Sequence, residues 1–241
     1  MPTLRGAAER GASFVARRFG YRLTPWRADE KSEGFEGYVR HARLAGMDVN
    51  EWQEQVLGWV PCLPALERIV LPDLQPDWRV IELGPGTGRF SRHLADRLPR
   101  GELYLVDHSP WLVAFLRDYF QTCPRVRVAL NDGYVLPFAD GEWADLVFSA
   151  GTLVAMKLGA IDLYAREFFR VLKPGGRVIF DYIDPETPAG WTHMTSQTPY
   201  LRSVYTYHTA SAMNKVFASA GFRIGERTQD GKSTYLTVHK D

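Results

Sequence analysis

The sequence predicts a doubly wound α/β sheet, and three observations support this fold class. Short apolar runs alternate with helical ones from Trp78 onward. A glycine-rich turn, Gly84-Pro85-Gly86-Thr87-Gly88, separates the first of these runs from the helix that follows it. Two further apolar runs flank Asp230-Gly231, which is typical of a hairpin. Buried parallel strands joined by right-handed helical crossovers produce such an alternation.

The predicted body of the protein, residues 77–241, contains five short strands before the hairpin. They are expected at residues 79–83, 102–106, 126–130, 144–149 and 177–182. Helices are expected at 90–98, 111–120, 161–172 and 210–220, and the third of them stops at Lys173-Pro174-Gly175-Gly176. The hairpin strands are expected at 222–227 and 234–239.

We expect residues 1–76 to form an N-terminal helical extension that packs on the body as a lid. Helices are expected at 4–19, at 49–60 with Asp48 as N-cap, and at 65–70. Residues 1–27 hold six arginines and one glutamate, a net +5, so the rest of the chain carries −4. The basic segment has two interpretations: part of the lid, or a surface that contacts an anionic membrane or a carrier-linked substrate.

The overall composition limits the partners of the protein. Lys and Arg total 29 against 28 Asp and Glu, a net charge of +1, so no nucleic-acid partner is expected. Cys62 and Cys123 lack any CxxC or Cys/His partner, which favours free thiols in a reducing cytoplasm. The longest weakly polar stretch is shorter than the roughly 20 residues that span a bilayer.

Acidic residues surround the glycine-rich turn and constrain its ligand. The dinucleotide pattern GxGxxG fails at Arg89, and the Gly-Lys-Ser/Thr of a phosphate-binding P-loop is absent. Glu82 would repel a phosphate but attract a cationic group. Asp107, at the end of the second strand, can accept two ribose hydroxyls, and Asp132, after the third strand, can accept an adenine amine.

Five ordered motifs occur with natural strand spacing: ELGPGTG, LVDHS, NDGYVLPF, ADLVFSAGTL and EFFRVLKPGGRVIF. Through them, residues 76–241 resemble the class I S-adenosylmethionine-dependent methyltransferases. The resemblance implies a Rossmann-like seven-stranded sheet of order 3-2-1-4-5-7-6 with strand 7 antiparallel, and S-adenosyl-L-methionine as cofactor. The cofactor-binding residues that it implies are Glu82, Gly84, Gly86 and Gly88 around the methionine part, Asp107 at the ribose, His108, Asp132 and Gly133 at the adenine, and Ser149 and Gly151 near the methyl.

The segment 183–208, between the fifth strand and the last helix, is too long for a simple connection, and we expect it to form a lid over the methyl acceptor. Its His193 and His208 are the candidate catalytic bases. The alternatives are an exposed loop position for His193 and, for His208, a role in shaping the start of the next helix. Asp181 and Asp184 either orient a histidine or bind an acceptor hydroxyl, or else serve as loop caps.

The sequence favours metal-independent O-methylation of a small molecule or of a glycan- or lipid-linked acceptor. After the fourth strand it has Ser149-Ala150-Gly151-Thr152, without the Pro-Pro-aromatic run of nucleobase amino-methylating relatives and without an acid for a divalent metal. The alternative is a non-catalytic S-adenosylmethionine-binding regulatory or partner subunit. A nucleotide-dependent oxidoreductase is a more distant alternative.

Overall fold

The computed structural model describes residues 34–131, 134–136, 141–196 and 204–241. The helix predicted at 4–19, the arginine-rich segment 1–27, and the predicted site residues Asp132 and Gly133 lie outside these ranges.

In the described part of the chain, three helices precede the sheet: α1 (Gly34–Leu44), α2 (Val49–Gln55) and α3 (Leu63–Ile69). Helix α1 was not predicted from the sequence. Asp48 caps α2 as predicted, because its Oδ1 accepts the backbone N–H groups of Asn50 and Glu51 at 2.9 and 3.2 Å. The helix stops at Gln55 rather than at residue 60, shortly before Gly58 turns the chain at φ 71°. The start of α3 contains a proline, which the first helical turn tolerates because its N–H groups lack intrahelical partners.

The rest of the chain alternates strands and helices as predicted. The elements are β1 (Arg79–Leu83), α4 (Arg89–Arg97), β2 (Glu102–Asp107), α5 (Pro110–Tyr119), β3 (Val126–Leu130), β4 (Ala144–Ser149), α6 (Leu158–Val171), β5 (Leu172–Tyr182), α7 (Pro188–Ser196), α8 (Ala210–Ser219), β6 (Arg223–Asp230) and β7 (Ser233–His239). A short 3-10 turn, Leu153–Ala155, follows β4.

The strands form one seven-stranded sheet of order β3-β2-β1-β4-β5-β7-β6, which confirms the predicted fold class. Strands β1 to β5 pair in parallel, whereas β7 is antiparallel to both β5 and β6. The carboxyl ends of β1, β2, β4 and β5 therefore share one edge, where an open α/β sheet binds its ligand. Because Tyr182 pairs with Thr234, the turn between β6 and β7 also lies at this edge.

Two segments in the second half of the chain differ from the prediction in how far their secondary structure extends. Strand β5 begins at Leu172 rather than at residue 177, because the chain after α6 pairs with β4 at once, with a register shift between Ala144 and Leu146. The segment 183–208 is not all loop, since α7 occupies part of it.

Apolar side chains cover both faces of the sheet. On one face Phe180 of β5 stacks on Phe217 of α8, with ring centroids 4.4 Å apart. On the other, Phe148 and Ile179 belong to a buried cluster with helices α4 and α5. The N-terminal helices add a third cluster through Trp52, which packs with Phe115 of α5. This contact holds α1 and α2 beside the glycine-rich turn.

Candidate functional site

Glu82 lies next to the last residue of β1 and is almost fully buried, with 2% exposure. Its Oε2 accepts a hydrogen bond from the Ser91 hydroxyl of α4 at 2.7 Å. Burial raises the pKa of Glu82 from 4.5 to about 7, and the Ser91 hydrogen bond opposes that rise only in part. A cationic ligand group near Glu82 would stabilise its ionised form.

The predicted glycines of the turn all have left-handed backbone, with φ of 70° at Gly84, 58° at Gly86 and 85° at Gly88. At Gly84 a close approach adds to this requirement, because an added Cβ would lie 2.0 Å from the Thr152 hydroxyl oxygen. That hydroxyl donates to the Gly84 carbonyl at 3.1 Å. The Phe35 ring of α1 lies 3.3 Å from a Cβ placed on Gly86, so α1 also packs against the turn.

Asp107 ends β2 and is 4% exposed. Its Oδ1 accepts the Ser109 backbone N–H at 2.8 Å. Burial raises the pKa of Asp107, while the backbone N–H groups of Ser109 and Gly86 oppose the rise. His108 is placed differently: its side chain is 80% exposed, and its Nδ1 lies 3.5 Å from Asp107 Oδ1. The role of His108 against an adenine stays a prediction.

Asn131 begins the connection that follows β3. It is buried, its side-chain amide donates to the Tyr164 hydroxyl of α6 at 3.1 Å, and its N–H donates to the Asp107 carbonyl at 3.0 Å. These bonds fix the start of the segment that carries Asp132 and Gly133.

The connection after β4 holds the last predicted cofactor residues. The Ser149 hydroxyl is fully buried and donates to the Leu83 carbonyl at 3.0 Å, which ties β4 to β1. Gly151 donates its N–H to Asp181 Oδ1 at 2.7 Å. A Cβ on Gly151 would meet no described atom within 4 Å, so space is open beside this backbone. Burial raises the pKa of Asp181, against the hydrogen bonds from Gly151 and from Ser233.

His208 precedes α8 and is held by backbone contacts. Its N–H donates to the Ile183 carbonyl at 3.0 Å, and its Nε2 lies 2.9 Å from the Met156 carbonyl oxygen. A carbonyl only accepts, so Nε2 carries the hydrogen in this contact and Nδ1 is the nitrogen left to take a proton. The N-cap of α8 is the next residue, Thr209, whose hydroxyl accepts the Ala212 N–H at 3.2 Å.

His193 lies on α7 among aromatic side chains. Its Nδ1 is 3.3 Å from the Tyr207 hydroxyl, and its ring lies 5.1 Å from that of Tyr205. Burial, and then the charge of Lys232, lowers the pKa of His193, so the ring is predominantly neutral at pH 7.

Asp184 caps the loop, one of the two roles predicted for it: its Oδ1 accepts the Glu186 N–H at 2.9 Å and its Oδ2 accepts the Ala210 N–H at 3.0 Å.

A polar contact that the sequence analysis missed connects α2 to the glycine-rich turn. Asn50 and Gln53, both fully buried, contact Thr87: the Asn50 amide donates to the Thr87 carbonyl at 3.1 Å, and the Gln53 amide donates to the Thr87 hydroxyl at 3.0 Å. In the sequence, this contact is indicated only by two polar residues three positions apart on a predicted helix. Polar residues at that spacing usually lie on an exposed helix face, so they did not predict a buried contact.

The polar groups around the turn suit S-adenosylmethionine. Buried carboxylates of Glu82 and Asp107 flank the turn, where a cation and a pair of hydroxyls would satisfy them, and open space adjoins Gly151. Within the described ranges no three His, Cys, Asp or Glu side chains are placed to hold a metal ion, and metal independence stays a prediction. Over the same ranges, no helix combines the length and apolar character needed to cross a membrane.

Comparison with known proteins gives consistent results. A family model described as "Methyltransferase domain" matches residues 80–176. The malonyl-[acyl-carrier protein] O-methyltransferase of Methylococcus capsulatus is 31% identical over 170 residues, 69% of this chain and 61% of the relative. The demethylmenaquinone methyltransferase of Thermus thermophilus is 24% identical over 167 residues, 61% of this chain and 74% of the relative.

Solved structures share the fold. A SAM-dependent methyltransferase from Aquifex aeolicus superposes with a TM-score of 0.56 at 17% identity, covering 76% of this chain and 94% of that one. The chain spans only 47–61% of the length of the first three curated relatives that it matches.

Proposed function

This chain contains a class I S-adenosylmethionine-dependent methyltransferase domain, whose cofactor is S-adenosyl-L-methionine, and from that premise we propose that it is an O-methyltransferase. The observation that supports the cofactor part of this proposal most directly is the pair of buried carboxylates, Glu82 and Asp107, on either side of the glycine-rich turn. The choice of an oxygen acceptor is supported by the similarity to malonyl-[acyl-carrier protein] O-methyltransferases. An enzyme that binds phosphate at this position would need donors and positive charge there.

The cofactor, when bound, supplies a methyl group on a positively charged sulfur. In our proposal Glu82 attracts the cationic methionine part, Asp107 accepts the two ribose hydroxyls, and Asp132 with the Gly133 backbone binds the adenine. In the same proposal the Phe35 ring of α1 borders the site on the side of Gly86. Methyl transfer is a direct displacement, so alignment of the acceptor supplies much of the rate, up to about 7–11 kcal/mol of the barrier.

Proton removal from a hydroxyl acceptor falls to His208 or His193 in this proposal. His208 is oriented by its contact with the Met156 carbonyl, which leaves Nδ1 as the accepting atom. His193 is predominantly neutral at pH 7, the state that a general base requires. A carboxylate acceptor, by contrast, carries no proton and needs neither histidine.

The proposed acceptor is a small molecule or a group carried on a glycan, lipid or carrier, methylated without a metal. The name of the Methylococcus capsulatus relative specifies a malonyl group on an acyl-carrier protein, and that of the Thermus thermophilus relative specifies demethylmenaquinone. These acceptors differ in charge and size. We further propose that residues 1–76 act as the lid, and a cytoplasmic location remains our expectation.

Incubation with methyl-labelled S-adenosylmethionine and fractionated cell extract tests the activity. We expect label in at least one acceptor fraction, and none with heat-inactivated protein. A non-catalytic cofactor-binding subunit would instead bind S-adenosylhomocysteine and transfer no label to any fraction. That result would contradict the proposed activity while leaving the cofactor site intact.

A further inference from the structure

The turn between β6 and β7 places a cation at the edge of the sheet that holds the candidate site. Lys232 stands in this turn, directly before β7. Strand β7 starts opposite the end of β5, where Tyr182 pairs with Thr234 and Asp181 with Tyr235. Lys232 is therefore on the acceptor side of the sheet, although it is far in sequence from every predicted site residue.

Lys232 is a partly buried residue, and its Nζ lies 3.7 Å from the centroid of the Tyr205 ring. An ammonium has three N–H donors. Among the described residues the buried polar side-chain atoms without a partner are Arg89 Nε and Arg92 Nε, so Lys232 Nζ is not one of them and its donors stay accessible to an incoming ligand. Among the residues that the structure describes, Lys232 Nζ has no hydrogen-bond acceptor and no carboxylate within 4.0 Å. The cation–π contact holds the ammonium over the Tyr205 ring and satisfies none of its N–H donors.

The neighbours of Lys232 connect it to the proposed methyl-transfer point. The next residue, Ser233, donates its hydroxyl to Asp181 Oδ2 at 2.8 Å, and Asp181 Oδ1 accepts the Gly151 N–H at 2.7 Å. On the other side, the Tyr205 ring beneath the ammonium contacts the ring of His193 at 5.1 Å. Lys232 thus lies between the open space beside Gly151 and the aromatic residues of the predicted acceptor lid.

We propose that Lys232, with the rings of Tyr205 and His193, forms a subsite for a carboxylate of the methyl acceptor. This inference rests on the proposed function and narrows it: acceptors are anionic, and neutral glycans or quinones are disfavoured. An incoming carboxylate supplies the acceptor that Lys232 lacks within the described residues. Because aromatic rings and a cation lie side by side here, the probes include an aromatic carboxylate as well as a short aliphatic one.

Direct binding to the protein loaded with S-adenosylhomocysteine tests the subsite without knowledge of the natural acceptor. Two carboxylates serve as probes, 4-hydroxybenzoate and the malonyl thioester of N-acetylcysteamine. Their neutral counterparts are 4-hydroxybenzamide and the methyl ester of the same thioester. Titration calorimetry compares wild type with Lys232→Met, Lys232→Arg and Lys215→Met, the last an exposed lysine of α8.

We expect the wild type to bind at least one carboxylate more tightly than its neutral counterpart. Lys232→Met should weaken that binding by about tenfold or more, equivalent to about 1.4 kcal/mol. Lys232→Arg and Lys215→Met should keep it. Tighter binding of 4-hydroxybenzoate would indicate an aromatic acceptor, and tighter binding of the malonyl thioester would indicate an acyl acceptor.

Equal binding of charged and neutral probes, no binding of either carboxylate by the wild type, or unchanged affinity in Lys232→Met would overturn the subsite. A protein that binds S-adenosylhomocysteine and shows any of these results retains the proposed function and loses only this inference. A protein that fails to bind S-adenosylhomocysteine contradicts the proposed function itself, and the carboxylate titrations on unloaded protein still decide the role of Lys232.

Discussion

The side-chain amide of Asn50 donates a hydrogen bond to the backbone carbonyl of Thr87, 3.1 Å away, in the middle of the glycine-rich turn. The Thr87 hydroxyl lies 2.8 Å from Asn50 Oδ1 and 3.0 Å from the Gln53 amide nitrogen. All three side chains are buried, with at most 1% exposure. A helix outside the sheet thus fixes the backbone on which the cofactor is proposed to rest.

Asn50→Ala should therefore lower both stability and cofactor affinity. It removes the side-chain donor of the buried Thr87 carbonyl, while Gln53 still bonds the Thr87 hydroxyl, at a cost of about 1–3 kcal/mol in the free energy of unfolding. In a chain of this size each kcal/mol lowers Tm by about 2–4 °C. Thermal unfolding and S-adenosylhomocysteine titration measure the two effects. Gln55→Ala, at an exposed position of the same helix, is the control, and equal behaviour of the two variants would refute the coupling.

Gly84→Ala should destabilise the protein strongly. Its φ of 70° is unfavourable for alanine by about 1–2 kcal/mol, and the new Cβ would overlap the Thr152 hydroxyl. Gly159→Ala, in an exposed helical position with no atom near the added Cβ, should instead be neutral or stabilising by up to about 1 kcal/mol. Denaturant titration of both variants measures the contrast. A Gly84→Ala protein as stable as Gly159→Ala would show that the turn is not constrained as described.

Glu82 should make cofactor binding depend on pH. Burial raises its folded-state pKa to about 7, so the carboxyl loses its proton as the pH rises towards and above that value. Only the ionised form attracts a cation, so affinity for S-adenosylmethionine should increase from pH 5.5 to pH 8. Titration calorimetry at several pH values measures it. Glu82→Gln should bind weakly and flatten the profile, whereas exposed Glu67→Gln should reproduce the wild-type curve.

The same shift predicts how stability changes with pH. A carboxyl whose folded pKa is raised binds more protons folded than unfolded, so its contribution is full below pH 4.5 and is lost as the pH rises to about 7. Without the cofactor, Glu82→Gln should therefore gain stability relative to wild type at pH 8 but not at pH 4. Chemical denaturation at the two pH values checks this, and an equal difference at both would contradict the burial argument.

The histidine predictions concern rate rather than affinity. For a hydroxyl acceptor, replacing the true base among His208 and His193 by glutamine should lower kcat by about 10²–10⁴-fold. Binding of S-adenosylhomocysteine should change little. His93→Gln on α4 is the control. Wild-type rates in both single variants would dismiss the pair and would favour a carboxylate acceptor, which needs no base.

The carboxyl ends of the parallel strands were predictable because short buried strands and glycine turns are local signals, whereas the sheet order was implied by the family resemblance. Glu82, Asp107 and Ser149 therefore lie at the expected sheet edge. Contacts between distant segments were not predictable: nothing local relates Asn50 to Thr87, or Lys232 to Tyr205. Helix α1 was missed because it opens at Gly34 and has mostly half-exposed or exposed residues, so its apolar pattern is weak.

The two carboxylates beside the glycine-rich turn are proposed to bind an S-adenosyl cofactor, and replacement of Asp107 is the sharpest test of this role. Titration of S-adenosylhomocysteine should show one site in the wild type. Asp107→Ala should weaken binding by roughly 10- to 100-fold, as expected for lost hydrogen bonds to a charged group. Asp96→Ala, at an exposed position of α4, should leave binding unchanged. No binding by folded wild type, or equal affinity in Asp107→Ala, would contradict the account.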